Sequence, residues 1–445
     1  MALITKAVKG TQDMLPEETG KQRFLENTLF DIADSFGFKE LRTPVFEHTE
    51  LFQRGVGETT DVVQKEMYTF DDKGGRSITL RPEGTAGAVR AFLEHGMFND
   101  ALPKKLCYLL NCYRYEKPQA GRWREFQQFG VEMFGTASPV ADAEVISLAD
   151  QIINFLGIKE IELQINSIGC PECRKKYHAA LKEYFEGRKG ELCGTCLERL
   201  DKNPMRILDC KSPVCKEISA SSPVIIDYLC DECREHFEAV KTYLDNMGIL
   251  YTVNPRIVRG LDYYTRTVFE FVSTAIGSQG TVCGGGRYDG LVEELGGPKT
   301  PALGFGMGTG RLRMVMETQG IDLPDDTDCD IYIAPMDTEA SYRAMAIVSD
   351  LRSGGISAQT DVAGRSLKAQ MKYADKIGAK YTAVLGSNEL AENSVKVKNM
   401  ASGETTDLSL EDFDEHFLRL TVNDAASRIG IDEGEIPNLS DIFGF

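Results

Sequence analysis

The side chains best suited to chemistry in this sequence are the charged and amide groups of residues 113–135, YRYEKPQAGRWREFQQFGVEMFG. Side chains two apart on a strand share a face, so Arg114 and Glu116 should project together, as should Gln128 and Glu132. A floor of carboxylates and an amide, with cations around it, suits a zwitterion bound beside a polyphosphate. The alternative is a solvated edge hairpin with cross-strand ion pairs.

A β-hairpin is the element that must position these groups. Residues alternate in character over about 107–116 and 124–134, and the loop between them contains Pro118 and Gly121, which are typical of long hairpin turns. The turn also carries three further cations, Lys117, Arg122 and Arg124.

A second candidate group lies in SITLRPEGTAGAVRAF, where Arg81, Glu83 and Thr85 share one strand parity and run into a helix start. Backbone donors are free at such a start. The pattern favours a carboxylate and a hydroxyl that together hold an amino group. The alternative is a turn at a strand end with a solvated glutamate.

The third group surrounds Gly260, which lets the backbone bend between Arg259 and the pair Tyr263 and Tyr264. Three consecutive glycines at 284–286 then end a strand, which indicates that another group needs the backbone close by. A flexible turn is the alternative for this glycine run.

A fourth segment, TPALGFGMGTGRLRMVME, is a glycine-spaced strand that runs into a helix with Arg311 in its first turn. A guanidinium at a helix N-terminus is an arrangement that binds phosphate. The segment therefore predicts a contact to the phosphates of a nucleotide.

Eight of the twelve cysteines fall between 170 and 233. Pairs with a two-residue spacer are typical of zinc knuckles, and in a reducing compartment they favour metal over disulfides. Eight thiols could make two tetrahedral structural zinc sites, and free buried thiols are the alternative. The residues concerned are Cys170, Cys173, Cys193, Cys196, Cys210, Cys215, Cys230 and Cys233.

Composition bounds the class of protein. A chain of 445 residues with 42% hydrophobic and 27% charged residues predicts two to four globular domains. No apolar run approaches a membrane span and the first residues lack the apolar block of a signal peptide, so we expect a cytoplasmic protein. The net charge of −18 argues against broad, non-specific nucleic-acid binding.

One local basic surface is nevertheless predicted. Within a helix expected at 365–379, lysines recur every four positions, at Lys368, Lys372 and Lys376, and the spacing continues to Lys380. Arg365 is expected near the same side of the helix. Contact with RNA phosphates is one interpretation of this stripe, and a solvated helix face is the other.

The order of elements predicts an α+β architecture. A helix over 17–36 and a strand with Pro44 precede the hairpin, and a charged helical segment interrupts the strands that follow it. We expect the following division: 1–167 and 251–325 as one core, 168–250 as an inserted domain, 326–425 as a compact α/β domain and 426–445 as a tail.

With these pieces in this order, the chain resembles the histidyl-tRNA synthetase family over nearly all of its length. A long helix followed by a strand with a proline resembles motif 1 of the class II synthetases. The most specific motifs are RPEGTAG at 81–87, RYEKPQAGRWREFQQFGVEMFG at 114–135, RGLDYYTRTVFE at 259–270 and GGGRYDGL at 284–291.

The resemblance implies a class II antiparallel sheet flanked by helices, a helical insertion, a C-terminal anticodon-binding domain and a homodimer. The implied reaction joins L-histidine to ATP as histidyl-adenylate and then passes the histidyl group to the 3′ end of tRNA(His). By similarity, the residues that contact histidine are Glu83, Thr85 and Gln128 at the α-amino group and Glu132, Tyr263 and Tyr264 at the imidazole.

The resemblance also implies roles around ATP. Arg114 is expected at the α-phosphate, Glu116 at the adenine side and Arg311 at the γ-phosphate. Arg259 is expected at the histidine carboxylate and the α-phosphate, where it would stabilise developing charge together with Arg114. Mg²⁺ should accompany the nucleotide.

The sequence departs from the family's pattern at three points. Gly310 stands before the motif 3 arginine, where Glu is usual, and Gln127 stands where His is common. Metal-binding cysteines are not a general feature of this family.

Two other functions compete with the enzyme. A non-catalytic paralogue that senses histidine as a regulatory subunit of histidine biosynthesis should lose Arg259, the motif arginines or the C-terminal domain. A pure RNA-binding module has no use for the floor of Glu83, Gln128 and Glu132.

Overall fold

The computed structural model describes residues 4–57, 60–119, 121–275, 280–324 and 329–428. The chain forms two compact units, residues 1–324 and 325–445. Of the tail predicted at 426–445, residues 429–445 lie outside this described part. Within it, none of the helices combines the length and the apolar character that crossing a bilayer requires.

The first unit contains eleven strands and ten helices within its described residues. The strands are β1 Lys39–Glu40, β2 Phe46–His48, β3 Tyr68–Asp71, β4 Ser77–Leu80, β5 Lys104–Tyr113, β6 Glu125–Phe134, β7 Ile161–Ser167, β8 Thr252–Val253, β9 Thr265–Ser273, β10 Thr281–Arg287 and β11 Ala302–Gly308. The helices are α1 Pro16–Ser35, α2 Thr49–Val56, α3 Thr85–Glu94, α4 Pro139–Phe155, α5 Pro171–Glu186, α6 Gly194–Lys202, α7 Pro213–Ala220, α8 Asp231–Asn246, α9 Leu291–Glu294 and α10 Thr309–Thr318.

Eight strands form one sheet in the order β1-β5-β6-β11-β10-β9-β7-β8. The pairs from β5 through β7 are antiparallel, and only the short outer strands β1 and β8 pair in parallel. This topology brings the hairpin β5-β6 next to β11, although about 170 residues separate them in the sequence. The sheet therefore places distant motifs side by side.

Helices α1 and α4 cover one face of this sheet. Pro16 occupies the first turn of α1. The helix ends at Ser35, and Gly37 just beyond it has φ 80°, a left-handed conformation that suits glycine. The apolar stripe of α1, which includes Leu25 and Leu29, packs into the same core as Val145 of α4. The apolar stripes of both helices are therefore buried against the sheet.

The segment predicted as an insertion is helical, with α5 to α8 joined by 3₁₀ turns. Its apolar side chains, such as Tyr177 and Phe185, are fully buried and pack with residues from α3, β5 and β6. Burial of these aromatic rings joins the segment to a core that it shares with α3, β5 and β6, and the buried cysteines lie in the same core.

The second unit holds a five-stranded sheet in the order β13-β12-β14-β15-β16. Its elements are β12 Ile331–Pro335, α11 Thr338–Ser353, β13 Ala358–Thr360, α12 Leu367–Lys376, β14 Tyr381–Leu385, α13 Ser387–Glu392, β15 Ser394–Asn399, β16 Thr405–Ser409 and α14 Phe413–Arg428. The α/β pattern was predicted, but α13 and α14 were missed. Helix α12 is shorter than predicted, so Lys380 lies beyond its end and pairs with Asp330 at 3.0 Å.

Candidate active site

A cavity of about 770 Å³ opens over the large sheet. It is lined by all of the residues predicted to contact histidine or ATP except one, namely Glu83, Thr85, Arg114, Glu116, Gln128, Arg259, Tyr263, Tyr264 and Arg311. Segments that are far apart in the sequence therefore share one cavity. The exception is Glu132, a floor residue that is fully buried and does not line the cavity.

The glycines of β11 make room for the polar floor. In the antiparallel register, Gly306 lies opposite Gly130 and Gly304 opposite Glu132. A Cβ atom at Gly304 would collide with the carboxylate of Glu132, and one at Gly306 with the amide of Gln128. The side chains of Glu132 and Gln128 on β6 therefore occupy the space that side chains on β11 would need. This explains the glycine spacing noted in the sequence.

Three hydroxyl groups surround the carboxylate of Glu132. Thr85 Oγ1 donates to Oε1 at 2.7 Å, Tyr108 OH donates to the same oxygen at 2.8 Å, and Tyr288 OH donates to Oε2. Burial raises the pKa of Glu132 to about 8, and the hydrogen bonds from Tyr288, Thr85 and Tyr108 only partly oppose it. Burial therefore favours the protonated form of this carboxyl group.

Glu83 has a structural contact as well as a place in the cavity. Its carboxylate accepts hydrogen bonds from the backbone amides of Thr85 and Ala86, each at 2.8 Å, and so satisfies the first turn of α3. Burial raises its pKa. The side chain is 3% exposed, so the alternative of a solvated glutamate is wrong.

Arg259 is held over the sheet by Glu270, with which it forms an ion pair. Burial acts to lower the pKa of Arg259, but Glu270 and Tyr264 together raise it above its usual value, so the guanidinium stays protonated. Arg259 also lies over the ring of Tyr264, 5.6 Å from its centre. A Cβ at Gly284 would lie 2.5 Å from Arg259 Nη2, so the close approach predicted for the glycine run is confirmed.

The remaining cations lie at the end of the hairpin and on α10. Arg114 and Glu116 follow the end of β5, in the loop rather than on the strand as predicted. Arg114 Nε donates to the carbonyl of Pro82 at 2.8 Å, and Arg311 Nη1 donates to the carbonyl of Thr281 at 2.7 Å. Burial lowers the pKa of Arg311, so this group favours an anionic ligand.

Comparison with known proteins gives the family. A model described as histidyl-tRNA synthetase matches residues 10–172 and 220–312, and one described as an anticodon binding domain matches residues 330–420. The histidine–tRNA ligase of Caldanaerobacter subterraneus subsp. tengcongensis is 54% identical over 93% of this chain and 99% of its own length. The chain belongs to the histidyl-tRNA synthetase family.

Two further relatives agree. The histidine–tRNA ligase of Acetivibrio thermocellus is 55% identical over 92% of this chain and 98% of its own length. The crystal structure of apo S. aureus histidyl-tRNA synthetase is 42% identical, with a TM-score of 0.80, and the match covers 93% of this chain and 100% of that chain. The predicted α+β fold class, with an antiparallel sheet flanked by helices and a C-terminal anticodon-binding domain, is confirmed.

The two departures in the catalytic motifs have structural explanations. Gln127 accepts a hydrogen bond from Thr309 at 3.0 Å and contacts Gln22 and Glu26 at 2.7 and 2.8 Å. It thus links α1 to the start of α10. A Cβ at Gly310 would meet no atom within 4 Å, so the glycine leaves open space where this family's class usually has glutamate.

Three residues of this site were missed by sequence reasoning. Tyr108 and Tyr288 bond to Glu132, and Glu270 holds Arg259. Glu270 carried a signal, since it is a charged residue within the apolar strand TRTVFEFV. Tyr288 lies in a motif that the resemblance had already singled out, whereas Tyr108 gave no local sign.

The eight cysteines of the insertion gather into two groups of four. We call Cys170, Cys173, Cys230 and Cys233 the outer cluster, and Cys193, Cys196, Cys210 and Cys215 the inner cluster. In each group the sulfur atoms lie within 4.8 Å of one another. All eight are free thiols in the structure. The inner cluster lies wholly within residues 173–219, which the family model does not match.

Helix α12 carries the lysines predicted as a basic stripe. Lys368, Lys372 and Lys376 are all exposed, while Arg365, predicted near the same side, pairs with Asp361 at 2.8 Å. The helix lies in the region that matches the anticodon-binding model.

Proposed function

We propose that this protein is a histidine–tRNA ligase, which activates L-histidine with ATP and transfers the histidyl group to the 3′ end of tRNA(His). One observation carries the proposal. One cavity is lined both by the polar groups Glu83, Thr85 and Gln128 and by the cations Arg114, Arg259 and Arg311.

The floor supports histidine as the amino acid. The α-amino group would bind Glu83, Thr85 and Gln128, whose oxygens retain acceptor capacity beyond their present bonds. The imidazole would lie against Tyr263 and Tyr264 and share a hydrogen bond with Glu132. A site built around such a bond discriminates strongly against amino acids that lack the ring nitrogens.

The cations support attack on a nucleotide phosphate. A histidine carboxylate oxygen attacks the α-phosphorus, the bond to the bridging oxygen breaks, and pyrophosphate leaves with the electron pair. Arg259 and Arg114 would stabilise the charge on the five-coordinate phosphorus, Glu116 would face the adenine side and Arg311 the γ-phosphate. Mg²⁺ would enter as part of the nucleotide substrate because a hard cation offsets the pyrophosphate charge.

The histidine-sensing regulatory subunit is not favoured. Such a protein has no need of Arg259, Arg114 and Arg311, which here share one cavity, or of a C-terminal domain that matches an anticodon-binding model. Close similarity to proteins named histidine–tRNA ligase supports the enzyme as well.

A homodimer in the cytoplasm is the expected state of the enzyme. Val45, Phe46 and Phe70 are 42%, 57% and 48% exposed on or beside the small sheet β2-β4-β3, near the segment that resembles motif 1. Apolar side chains grouped in this way are typical of a subunit interface. Light scattering at micromolar concentration should give twice the mass of 49.3 kDa.

Pyrophosphate exchange tests the function. Exchange of labelled pyrophosphate into ATP should depend on histidine, and labelled histidine should become attached to tRNA(His). Histidine binding without exchange would refute the enzyme and favour the regulatory alternative. Binding of tRNA without either histidine binding or exchange would leave only an RNA-binding module.

A further inference from the structure

The sulfur atoms of the two cysteine clusters have the spacing of metal ligands. Cys170 and Cys173 are 3.6 Å apart and Cys193 and Cys210 are 3.8 Å apart at Sγ. A tetrahedral ion with Zn–S bonds of about 2.3 Å places its sulfur ligands about 3.8 Å from one another. A disulfide would require a sulfur separation of about 2 Å.

The surrounding backbone suits thiolates. Cys170, Cys193 and Cys230 each immediately precede a helix, and their CxxC partners lie in its first turn, where the helix dipole stabilises negative charge. Backbone amides also point at the sulfurs: Cys230 N lies 3.1 Å from Cys173 Sγ, and Cys193 N lies 3.3 Å from Cys215 Sγ. Such outer hydrogen bonds orient metal ligands.

We propose that each cluster binds one Zn²⁺ as a closed, four-thiolate structural site, and that the two ions together hold the insertion against the substrate-binding loop 259–264. Four cysteines leave no open coordination position, so neither ion takes part in the reaction. The outer cluster joins the N-terminal ends of α5 and α8 and so ties together the two ends of the insertion. The inner cluster joins α6 to α7 across the turn between them.

Two arginines carry the connection to the loop. Arg174, the residue after Cys173, donates through Nη1 to the carbonyl of Tyr264 at 3.1 Å. Arg206 lies in the 3₁₀ turn Pro204–Ile207, between Cys196 and Cys210 in the chain, and donates to the carbonyl of Gly260 at 2.7 Å. Each metal site therefore holds in place an arginine whose hydrogen bond fixes one end of the loop.

The contact of Arg206 is reinforced by its neighbours. Its Nε lies 3.4 Å from Asp262 Oδ1, and Asn203 Nδ2 donates to the same oxygen at 3.2 Å. Arg206 is 7% exposed. Because Gly260 follows Arg259 directly, movement of this turn would displace the guanidinium at the α-phosphate. Arg206 is thus a positioning residue for the reaction, a step that rests on the proposed function.

Metal content tests the sites independently of activity. Full-length protein purified under reducing conditions, without a metal-binding tag, should contain two zinc ions per chain, and X-ray absorption should show four sulfur ligands at about 2.3 Å. Cys173→Ser and Cys196→Ser should each retain one ion, while the control Cys329→Ser, in the other unit, should retain two. Protein with a cooperative melting transition and near-zero metal, or with iron in place of zinc, would overturn the proposal.

Kinetics of Arg206 variants test the connection. Arg206→Ala should keep both zinc ions but lower kcat for pyrophosphate exchange about tenfold with little change in KM for histidine, since one charged hydrogen bond is lost. Arg206→Lys should recover part of that loss, and the exposed control Arg188→Ala should match the parent. Unchanged kcat in Arg206→Ala would refute the connection. Two zinc ions in a protein without any exchange would instead refute the proposed function and leave the metal sites standing.

Discussion

The floor and the rim of the cavity are built by different means. In the floor, the polar groups bond to one another, as Thr85, Tyr108 and Tyr288 do with Glu132. In the rim, each cation is held separately: Arg114 and Arg311 donate to backbone carbonyls, which carry no net charge, and Arg259 pairs with Glu270.

This difference separates recognition from catalysis. A network of mutual hydrogen bonds is rigid and responds to the shape and donors of its ligand, so changes to the floor should raise KM for histidine. Cations aimed at a developing charge act most strongly in the transition state, so changes to the rim should lower kcat.

The largest effect is expected from Arg259→Ala. If Arg259 binds the α-phosphate as proposed, loss of this buried, positioned cation should lower kcat for pyrophosphate exchange about a thousandfold. KM for histidine should change only modestly, because the floor is intact. The exposed control Arg54→Ala should behave as the parent. An unchanged exchange rate in Arg259→Ala would refute the role assigned to this residue.

Gly306→Ala should raise KM for histidine and leave kcat nearly unchanged, the reverse of Arg259→Ala. The three atoms nearest to the added Cβ all belong to the side chain of Gln128, so we expect the amide to move while the backbone of β11 stays in place. We expect KM for histidine to rise about twentyfold with kcat and the melting temperature nearly unchanged.

Gly310→Ala is the matched control, since its Cβ would enter open space. Equal kinetic effects of the two substitutions would show that the floor does not depend on the position of Gln128.

Local pattern predicted the parts of this site but not their assembly. The hairpin, the helix start after Glu83 and the bend at Gly260 were readable because each depends on a few adjacent residues. The family resemblance supplied the expectation that they meet. The structure shows that the register of β6, β11 and β10 in one antiparallel sheet brings these segments together.

The two missed contacts to Glu132 are cross-strand or long-range. Tyr108 reaches Glu132 from the neighbouring strand, and Tyr288 reaches it across 156 residues of sequence. A one-residue change in strand register would point either side chain away from the floor, so no local signal could have found them. The grouping of the cysteines is likewise set by the packing of α5 to α8 rather than by their spacing.

The proton on Glu132 provides a third test. Its pKa is raised to about 8, so the free site holds a proton below that pH. Burial of an unpaired carboxylate is also unfavourable when histidine is bound. One proton should therefore remain shared between Glu132 and the bound imidazole. Histidine affinity should therefore be highest between about pH 6.5, below which free histidine is itself protonated, and pH 8.

Above pH 8 the parent must take up a proton on binding, so its affinity should fall about tenfold per pH unit. Glu132→Gln cannot ionise and should lack this part of the decline, while it shares any loss caused by the α-amino group of histidine. Calorimetric titration from pH 6 to 9 measures both proteins. Parallel profiles would contradict a titrating Glu132 in the floor.

The smallest effect on the cavity is expected from the basic stripe of α12. Replacing both Lys372 and Lys376 with Glu should leave pyrophosphate exchange unchanged, because these exposed side chains lie in the other compact unit. Charging of tRNA should weaken about fivefold and become less sensitive to salt, since phosphate contacts are lost.

The matched control replaces Lys396 and Lys398, which are also exposed, on β15 of the same unit, with Glu. Equal loss in both double variants would show a general charge effect, whereas a parallel fall in exchange and charging would make the stripe structural. Only a selective loss of charging would assign the stripe to tRNA binding.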